Sequence, residues 1–285
     1  MQRSRERTGL LVGALGLCMA ISTSYAQLPV TSGLTLHLRA DTGVQTVNGN
    51  EVISWQDLSG NGWHMTNYAA AQRPSLVSSV VNGQPVIRFD GTDDFVDNQN
   101  TTLASFITAS EFTIVTVFET SAMSQGAGAV FTQDMVLGDT AGYVGVVVES
   151  NLTTSAKTLS MYNWDGDADV ATIAGYDTGS FRVFSGWHGG GTVFASTFVG
   201  NNSSAPSGNT QFLGGFMRIG SGYSAGTTYF NGDIAEIAIY NRALSDAERN
   251  LVANRLADNY ALSVPEPASA ALLGLGGLFL WKRRR

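Results

Sequence analysis

The chain has 285 residues, of which only 14% are charged, and it contains 33 Gly, 6 Pro and one Cys with a formal net charge of −7. This composition is that of a globular protein and excludes collagen-like and charge-rich disordered chains. Seven of the 16 Lys and Arg lie in the two ends, so the body between them has nine basic and 21 acidic residues, a net charge of −12 that disfavours nucleic-acid binding.

The first 26 residues have the organisation of a secretory signal peptide. A basic start precedes an apolar run at 9–21 and a small-residue finish at 24–26, which predicts cleavage after Ala26. A retained membrane anchor is the alternative, although a run of about a dozen residues is short for a span. Cleavage removes Cys18, the only cysteine, so the mature chain would have neither a disulfide nor a thiol nucleophile.

The segment 27–263 is predicted to form one all-β domain. Its short β-branched or aromatic segments are separated by Gly, Asn, Asp and Ser, as strands are. In one of them, alternation places Phe112, Ile114, Thr116 and Phe118 on one face. The predicted strands are 34–38, 52–55, 86–89, 112–118, 143–148, 159–164, 181–184, 193–198, 216–219 and 234–240.

One helix is predicted at the end of this segment. Ser245 can cap it, and Glu248 three residues later completes a capping box. Val252, Leu256 and Tyr260 follow at a spacing of four and form one apolar stripe. Many strands and a closing helix predict a two-sheet antiparallel sandwich.

The C-terminal segment 264–285 has three parts in a fixed order. The sequence Val-Pro-Glu-Pro is followed by fourteen uncharged, mostly apolar residues at 268–281 and then by Lys-Arg-Arg-Arg. As a helix the apolar run would reach about 21 Å, against a hydrocarbon thickness of about 30 Å. The basic cluster is expected to stay cytoplasmic, which places the body outside the inner membrane. A simple tail anchor is the alternative.

This order resembles the PEP-CTERM sorting signal of Gram-negative bacteria, with Pro265, Glu266 and Pro267 as the tripeptide and Arg283, Arg284 and Arg285 as the basic end. The resemblance implies transient anchoring in the inner membrane, recognition by an exosortase-type membrane enzyme and removal of the tail. It also implies delivery to the cell surface or to the extracellular exopolysaccharide matrix.

Three stretches of the body, 55–62, 82–95 and 230–245, resemble LamG-like domains of secreted bacterial proteins. Their order, with the closing helix, implies a concanavalin A-like jelly roll over about residues 33–262. That fold hosts lectins, adhesion modules and glycoside hydrolases, so it does not fix the function.

A glycoside hydrolase of this fold requires a specific set of carboxylates. Laminarinase-like enzymes of this fold use Glu-x-Asp-x-x-Glu, and the nearest match here has Asn231 at the first position, followed by Asp233 and Glu236. On a regular strand, residues three apart point to opposite faces. Only three histidines are present, His37, His64 and His188, and structural or surface roles are expected for His37 and His64. The sequence therefore favours a protein that is not an enzyme.

Calcium is the cofactor that the sequence favours most. Asp90, Asp93 and Asp94 follow a predicted strand in a glycine-containing turn, and calcium takes oxygen ligands from acidic loops. A second cluster at 165–169 starts like an EF-hand but departs from it at Val170 and Tyr176. For both clusters the sequence favours a solvated turn, with a calcium site as the alternative.

Glycan binding needs aromatic faces beside polar groups, and Trp164, Trp187 and Tyr223 are the candidates, with core packing as the alternative. The sequence thus predicts an exported surface or matrix protein for adhesion or glycan binding. A divergent glycoside hydrolase of the same fold and a purely structural matrix protein are the alternatives.

Overall fold

The computed structural model of the protein describes residues 27–102, 111–121, 131–139, 144–151, 156–164, 168–174, 179–197, 202–206, 216–221 and 229–262. The predicted signal peptide and the C-terminal tail lie outside these residues. Within them the chain forms antiparallel strands and one α-helix, which confirms the predicted all-β, jelly-roll-like sandwich.

Seventeen strands lie in the described part of the chain, and the ten predicted strands are among them. The seven others are the strands at 44–47, 65–66, 75–81, 96–102, 131–139, 168–174 and 202–206. The strands are Leu34–Arg39 (β1), Val44–Val47 (β2), Glu51–Trp55 (β3), Met65–Thr66 (β4), Ser75–Val81 (β5), Gln84–Asp90 (β6), Val96–Thr102 (β7), Phe112–Thr120 (β8), Phe131–Asp139 (β9), Val144–Asn151 (β10), Ala156–Trp164 (β11), Ala168–Ala174 (β12), Arg182–Gly189 (β13), Thr192–Thr197 (β14), Asn202–Pro206 (β15), Phe216–Ile219 (β16) and Asn231–Tyr240 (β17).

The strand pairings divide these strands into two sheets. In the first sheet β17 pairs with β8 on one side and with both β1 and β6 on the other. This sheet continues from β6 to β5 and from β8 through β13 and β14 to β15. The second sheet has the order β2-β3-β4-β7-β16-β9-β10-β11-β12. One pair, Glu51 with Ser75, joins the two sheets at their edge.

The main hydrophobic core lies between the two sheets. Alternate residues of each strand enter it, for example Leu36 and Leu38 on β1. Trp55 is fully buried there, and its indole N–H donates a 2.8 Å hydrogen bond to the Arg39 carbonyl. Phe112, Ile114 and Phe118 of β8 face this core, as their alternation predicts.

A second core covers the outer face of the first sheet. One α-helix, Asp246–Tyr260 (α1), packs on this face. The buried residues of the layer come from α1, the sheet and the segment that precedes β1: Leu28, Val30, Val81, Val86, Val115, Val117, Val183, Ala235, Ala238, Tyr240, Leu244, Val252, Ala253, Leu256, Ala257 and Tyr260. The predicted apolar stripe of the helix is therefore confirmed.

The start of α1 has the predicted capping box. Ser245 Oγ accepts from the backbone N–H of Glu248, and the Glu248 carboxylate accepts from that of Ser245. Arg242 binds the same carboxylate through two nitrogens, and this contact is the main reason that the pKa of Glu248 falls to about 2. In the described part of the chain, no helix has both the length and the apolar character that a membrane crossing requires.

Candidate functional site

The predicted calcium loop connects β6 to β7, and the structure brings its three acids together. Asp90 ends β6, and one carboxylate oxygen from each of Asp90, Asp93 and Asp94 lies within 4.8 Å of the others. Gly91 makes the turn possible, because its φ of +76° suits glycine and a Cβ there would lie 2.6 Å from Asn231 Cβ. The loop is therefore fixed against the start of β17.

Backbone hydrogen bonds orient two of the three carboxylates. Asp90 Oδ1 accepts from the N–H of Thr92 at 2.7 Å and from that of Asp93 at 3.4 Å. Asp94 Oδ2 accepts from the N–H of Asp90 at 3.0 Å. These bonds use one oxygen of each carboxylate, so the second oxygen of each can serve as a ligand.

The electrostatics of the loop favour a cation. Asp94 is only 8% exposed, and burial raises its pKa to about 7, with the charges of Asp90 and Asp93 adding to the effect. Asp90 is exposed and Asp93 half-buried, so the cluster opens to solvent on one side. A hard dication with oxygen ligands fits this donor set, because it would offset the crowded negative charge.

A basic side chain lies beside the loop. The Arg218 guanidinium sits 4.1 Å from the centre of the Phe95 ring, and its Nη2 donates a 3.0 Å hydrogen bond to Asp97. Asp97 is buried, so the charge of Arg218 is paired within β7 and β16. This arginine therefore pairs with a carboxylate of the strand that follows the loop.

Of the three aromatic candidates, the structure describes the side chain of Trp187 alone. Its ring stacks on Phe194 at 4.8 Å with an interplanar angle of 6°, and the Arg249 guanidinium lies 3.6 Å from the ring centre. A sugar ring could stack there only by displacing one of these neighbours. Trp164 ends β11, and its side chain lies outside the described residues, as does all of Tyr223 and the 165–167 part of the second acidic cluster.

Asp233 and Glu236, the two acids of the candidate hydrolase motif, do not point to opposite faces of β17 as expected. A register shift between Ile234 and Glu236 marks a bulge in β17, where Ile234 and Ile237 both face the main core. The bulge turns Ala235 and Glu236 to the same outer side, which Asp233 also faces. Sequence spacing gives no sign of such a bulge.

Glu236 belongs to a buried polar network that the sequence did not reveal. Its exposed fraction is 3%; one oxygen lies 2.7 Å from His37 Nε2, and the other accepts a 2.9 Å hydrogen bond from the Tyr260 hydroxyl. The network joins β1, β17 and α1. His37 therefore has the structural role expected of it, as does His64, whose Nδ1 accepts from the backbone N–H of Asp57.

Asp233 belongs to a second charged group. Arg88 Nε and Nη2 each donate a 2.7 Å hydrogen bond to it, and Glu119 lies directly opposite it on β8. Burial first, and then the charge of Asp233, raises the pKa of Glu119. Glu119 Oε1 accepts from Ser121, whereas Oε2 is buried without a hydrogen-bond partner among the described residues. Phe118 of β8 faces the main core, so the next residue, Glu119, faces the outer side of the first sheet, as Asp233 does.

The comparison with protein families confirms the predicted sorting signal. Residues 263–285 match the PEP-CTERM protein-sorting motif. The protein is therefore an exported protein that is sorted through the membrane of a Gram-negative bacterium and processed by an exosortase, a membrane protease. No curated protein matches the chain.

Solved structures share the fold. Trypanosoma rangeli sialidase in complex with 2-keto-3-deoxy-D-glycero-D-galacto-2,3-difluoro-nononic acid matches with a TM-score of 0.55 and 11% identity over 81% of this chain and 33% of that chain. The same sialidase with 2,3-difluorosialic acid, a covalent intermediate, matches with a TM-score of 0.54 and 13% identity over 82% of this chain and 34% of that chain. The chain thus spans about a third of these sialidase chains.

This likeness corrects the expectation that the protein is not an enzyme. Sialidases are glycosidases, and the fold of this chain occurs within them. A strand with Glu-x-Asp-x-x-Glu and a histidine-based triad are only two of the catalytic arrangements that enzymes use, so a mismatch to both does not place the protein outside the enzymes. At these identities the likeness shows the fold alone.

Proposed function

We propose that the protein is a LamG-like, glycan-binding component of the cell surface or exopolysaccharide matrix, and that its β6–β7 loop holds a calcium ion. The observation that carries the proposal is the convergence of Asp90, Asp93 and Asp94 within 4.8 Å. Export through the sorting signal supports the location, and the fold shared with sialidase complexes supports a glycan as ligand. A bound cation would also let the acidic body meet an anionic polysaccharide.

The calcium part is tested by thermal unfolding of the purified exported protein in calcium chloride and in chelator. Calcium at 100 times its Kd contributes about 2.7 kcal/mol, which corresponds to a rise in Tm on the order of 5 °C for a chain of this size. Asp93→Asn should abolish most of that rise. Asp258→Asn, which removes an exposed carboxylate of α1, is the matched control and should keep it. Equal midpoints in both buffers would refute the calcium site.

The glycan part is tested by retention on immobilised exopolysaccharide, with a parallel assay for released reducing sugar. Retention that calcium strengthens and chelator weakens supports the proposal. Release of sugar would identify a glycosidase of the same fold, the second candidate, which the likeness to sialidases favours. Absence of both retention and release across a glycan array would leave a structural matrix protein and contradict the proposal.

A further inference from the structure

The folded domain extends to within a few residues of the sorting motif. Tyr260 is buried in the second core, and Leu262 packs against the same core. The backbone N–H of Leu262 donates a 2.8 Å hydrogen bond to the Ala257 carbonyl, which closes the last turn of α1 after Ala261 in the left-handed region. The packed structure therefore reaches Leu262.

The tether between this end and the motif is short. Only Ser263 and Val264 separate Leu262 from Pro265. Three residue steps span at most about 11 Å in any conformation, and six steps, to Ala268 at the start of the apolar run, at most about 22 Å. An enzyme that grips the tripeptide at the membrane must therefore work beside the folded domain.

Unwinding α1 to lengthen the tether would disrupt the second core. The first buried residues to be released would be Tyr260, Ala257 and Leu256. Release of Tyr260 would also remove its hydrogen bond to the buried carboxylate of Glu236. The intact fold is thus the form that the processing enzyme meets.

The β5–β6 turn, beside the last turn of α1, has no charged side chain at 78–83, whereas the last turn itself carries the exposed carboxylate of Asp258. The β5–β6 turn contacts this end of the helix, because Asn82 Nδ2 donates a 2.9 Å hydrogen bond to the Asn259 carbonyl. Val77 and Val80 of β5 pack on the same core as Leu262. The exposed residues of this turn region are Ser78, Ser79, Asn82 and Gly83.

We propose that this surface, the last turn of α1 with residues 78–83, is the face on which the membrane-embedded sorting enzyme docks while it grips the tripeptide. The reach of the tether places the enzyme there, and residues 78–83 add no charge to that face. The inference rests on C-terminal processing and not on glycan or calcium binding. Its failure would leave those proposals untouched.

The test compares two serine-to-arginine variants of the full chain in cells that carry the sorting enzyme. Ser78→Arg adds bulk to the proposed face on β5. Ser204→Arg makes the same change at an exposed position of β15, six strand spacings away at the opposite edge of the sheet, or about 29 Å. Pulse-chase labelling and intact-mass analysis monitor removal of the tail. We expect this removal to slow several-fold in Ser78→Arg and to be unchanged in Ser204→Arg.

A linker of about twelve Gly and Ser residues between Leu262 and Ser263 should restore processing of Ser78→Arg, because it removes the need for close contact. Equal processing of the two variants, or no rescue by the linker, would overturn the proposal. If Ser78→Arg has a lowered Tm, a photo-crosslinker at position 258 gives the second measurement. An adduct with the sorting enzyme supports the docking face, and adducts with lipid alone contradict it.

Discussion

The hydroxyl of Tyr260, on the last turn of α1, donates a 2.9 Å hydrogen bond to the carboxylate of Glu236 on β17. Burial, together with the charge of Glu236, raises the pKa of Tyr260, so the phenol stays protonated and remains a donor. His37 holds the other oxygen of Glu236 at 2.7 Å. The Glu236 carboxylate therefore connects α1 to β1 and β17 of the first sheet.

Tyr260→Phe should destabilise the protein more than Tyr240→Phe does. Loss of the Tyr260 hydroxyl leaves a buried carboxylate oxygen without its donor, at a cost of about 2 to 3 kcal/mol. Tyr240 donates to the Val30 carbonyl at 3.1 Å, and loss of that neutral bond costs about 1 kcal/mol. Free energies of unfolding in urea measure both; a larger loss in Tyr240→Phe would contradict the prediction.

Arg88→Met should destabilise the protein, because it leaves two acids that face each other, Asp233 and Glu119, without the arginine. The guanidinium is half exposed, but its partner Asp233 is 1% exposed and lies opposite Glu119. Without Arg88 the buried carboxylate loses two charged hydrogen bonds, which we expect to cost about 2 to 3 kcal/mol.

The control for Arg88→Met is Glu51→Gln, which removes the charge of a carboxylate that lies 3.1 Å from Arg73 and is 32% exposed. Arg73 keeps its hydrogen bonds to the carbonyls of Asn67 and Tyr68 in this variant. The expected loss is below about 1 kcal/mol. Urea unfolding of both variants gives the comparison, and equal losses would show that Asp233 is not held by Arg88.

Much of the fold could be predicted from the sequence, because many of its elements are determined by residues that are close together in the chain. The capping box at Ser245 and the stripe through Val252, Leu256 and Tyr260 are confirmed, since both depend on neighbouring residues. By contrast β7 was not predicted, because its polar residues resemble a loop. Its Asp97 is nevertheless buried, with a partner, Arg218, that lies far away in sequence.

The candidate site divides in the same way. The acidic loop was found from sequence because its three aspartates lie within five residues of one another. The charged groups around Glu236 and Asp233 were not, since their partners come from β1, β6, β8 and α1, and a bulge sets their direction. Those contacts depend on tertiary packing, which a single sequence does not display.

Gly91→Ala should weaken the calcium loop more than Gly83→Ala weakens its turn. Both glycines have positive φ, +76° and +73°, so alanine strains both by about 1 kcal/mol. Only at Gly91 would the new Cβ also meet Asn231, at 2.6 Å, whereas Gly83 has no atom within 4 Å. We expect Gly91→Ala to lose stability beyond the strain and to reduce the rise in Tm with calcium; an unchanged calcium response would contradict this.

Asp94 should make stability depend on pH when calcium is removed. Its pKa is about 7 in the folded protein and near 3.8 when unfolded, so between these values the folded state holds a proton that the unfolded state lacks. The free energy of unfolding therefore falls as pH rises from about 4 to about 7 and levels off above. Asp94→Asn cannot ionise and should lack this fall. From pH 4 to pH 7 its free energy of unfolding should rise, relative to that of the wild type, by on the order of 2 kcal/mol. One pKa unit corresponds to about 1.4 kcal/mol, and contact with solvent reduces the effect of the full shift.

Urea unfolding from pH 4 to pH 8 in chelator measures the effect, with Asp258→Asn as the control that should follow the wild type. Calcium should reduce the fall of the wild-type profile between about pH 4 and pH 7, because a bound dication favours the ionised carboxylate that burial disfavours. Parallel profiles of Asp94→Asn and the wild type would mean that Asp94 is not the group that carries the charge of this loop.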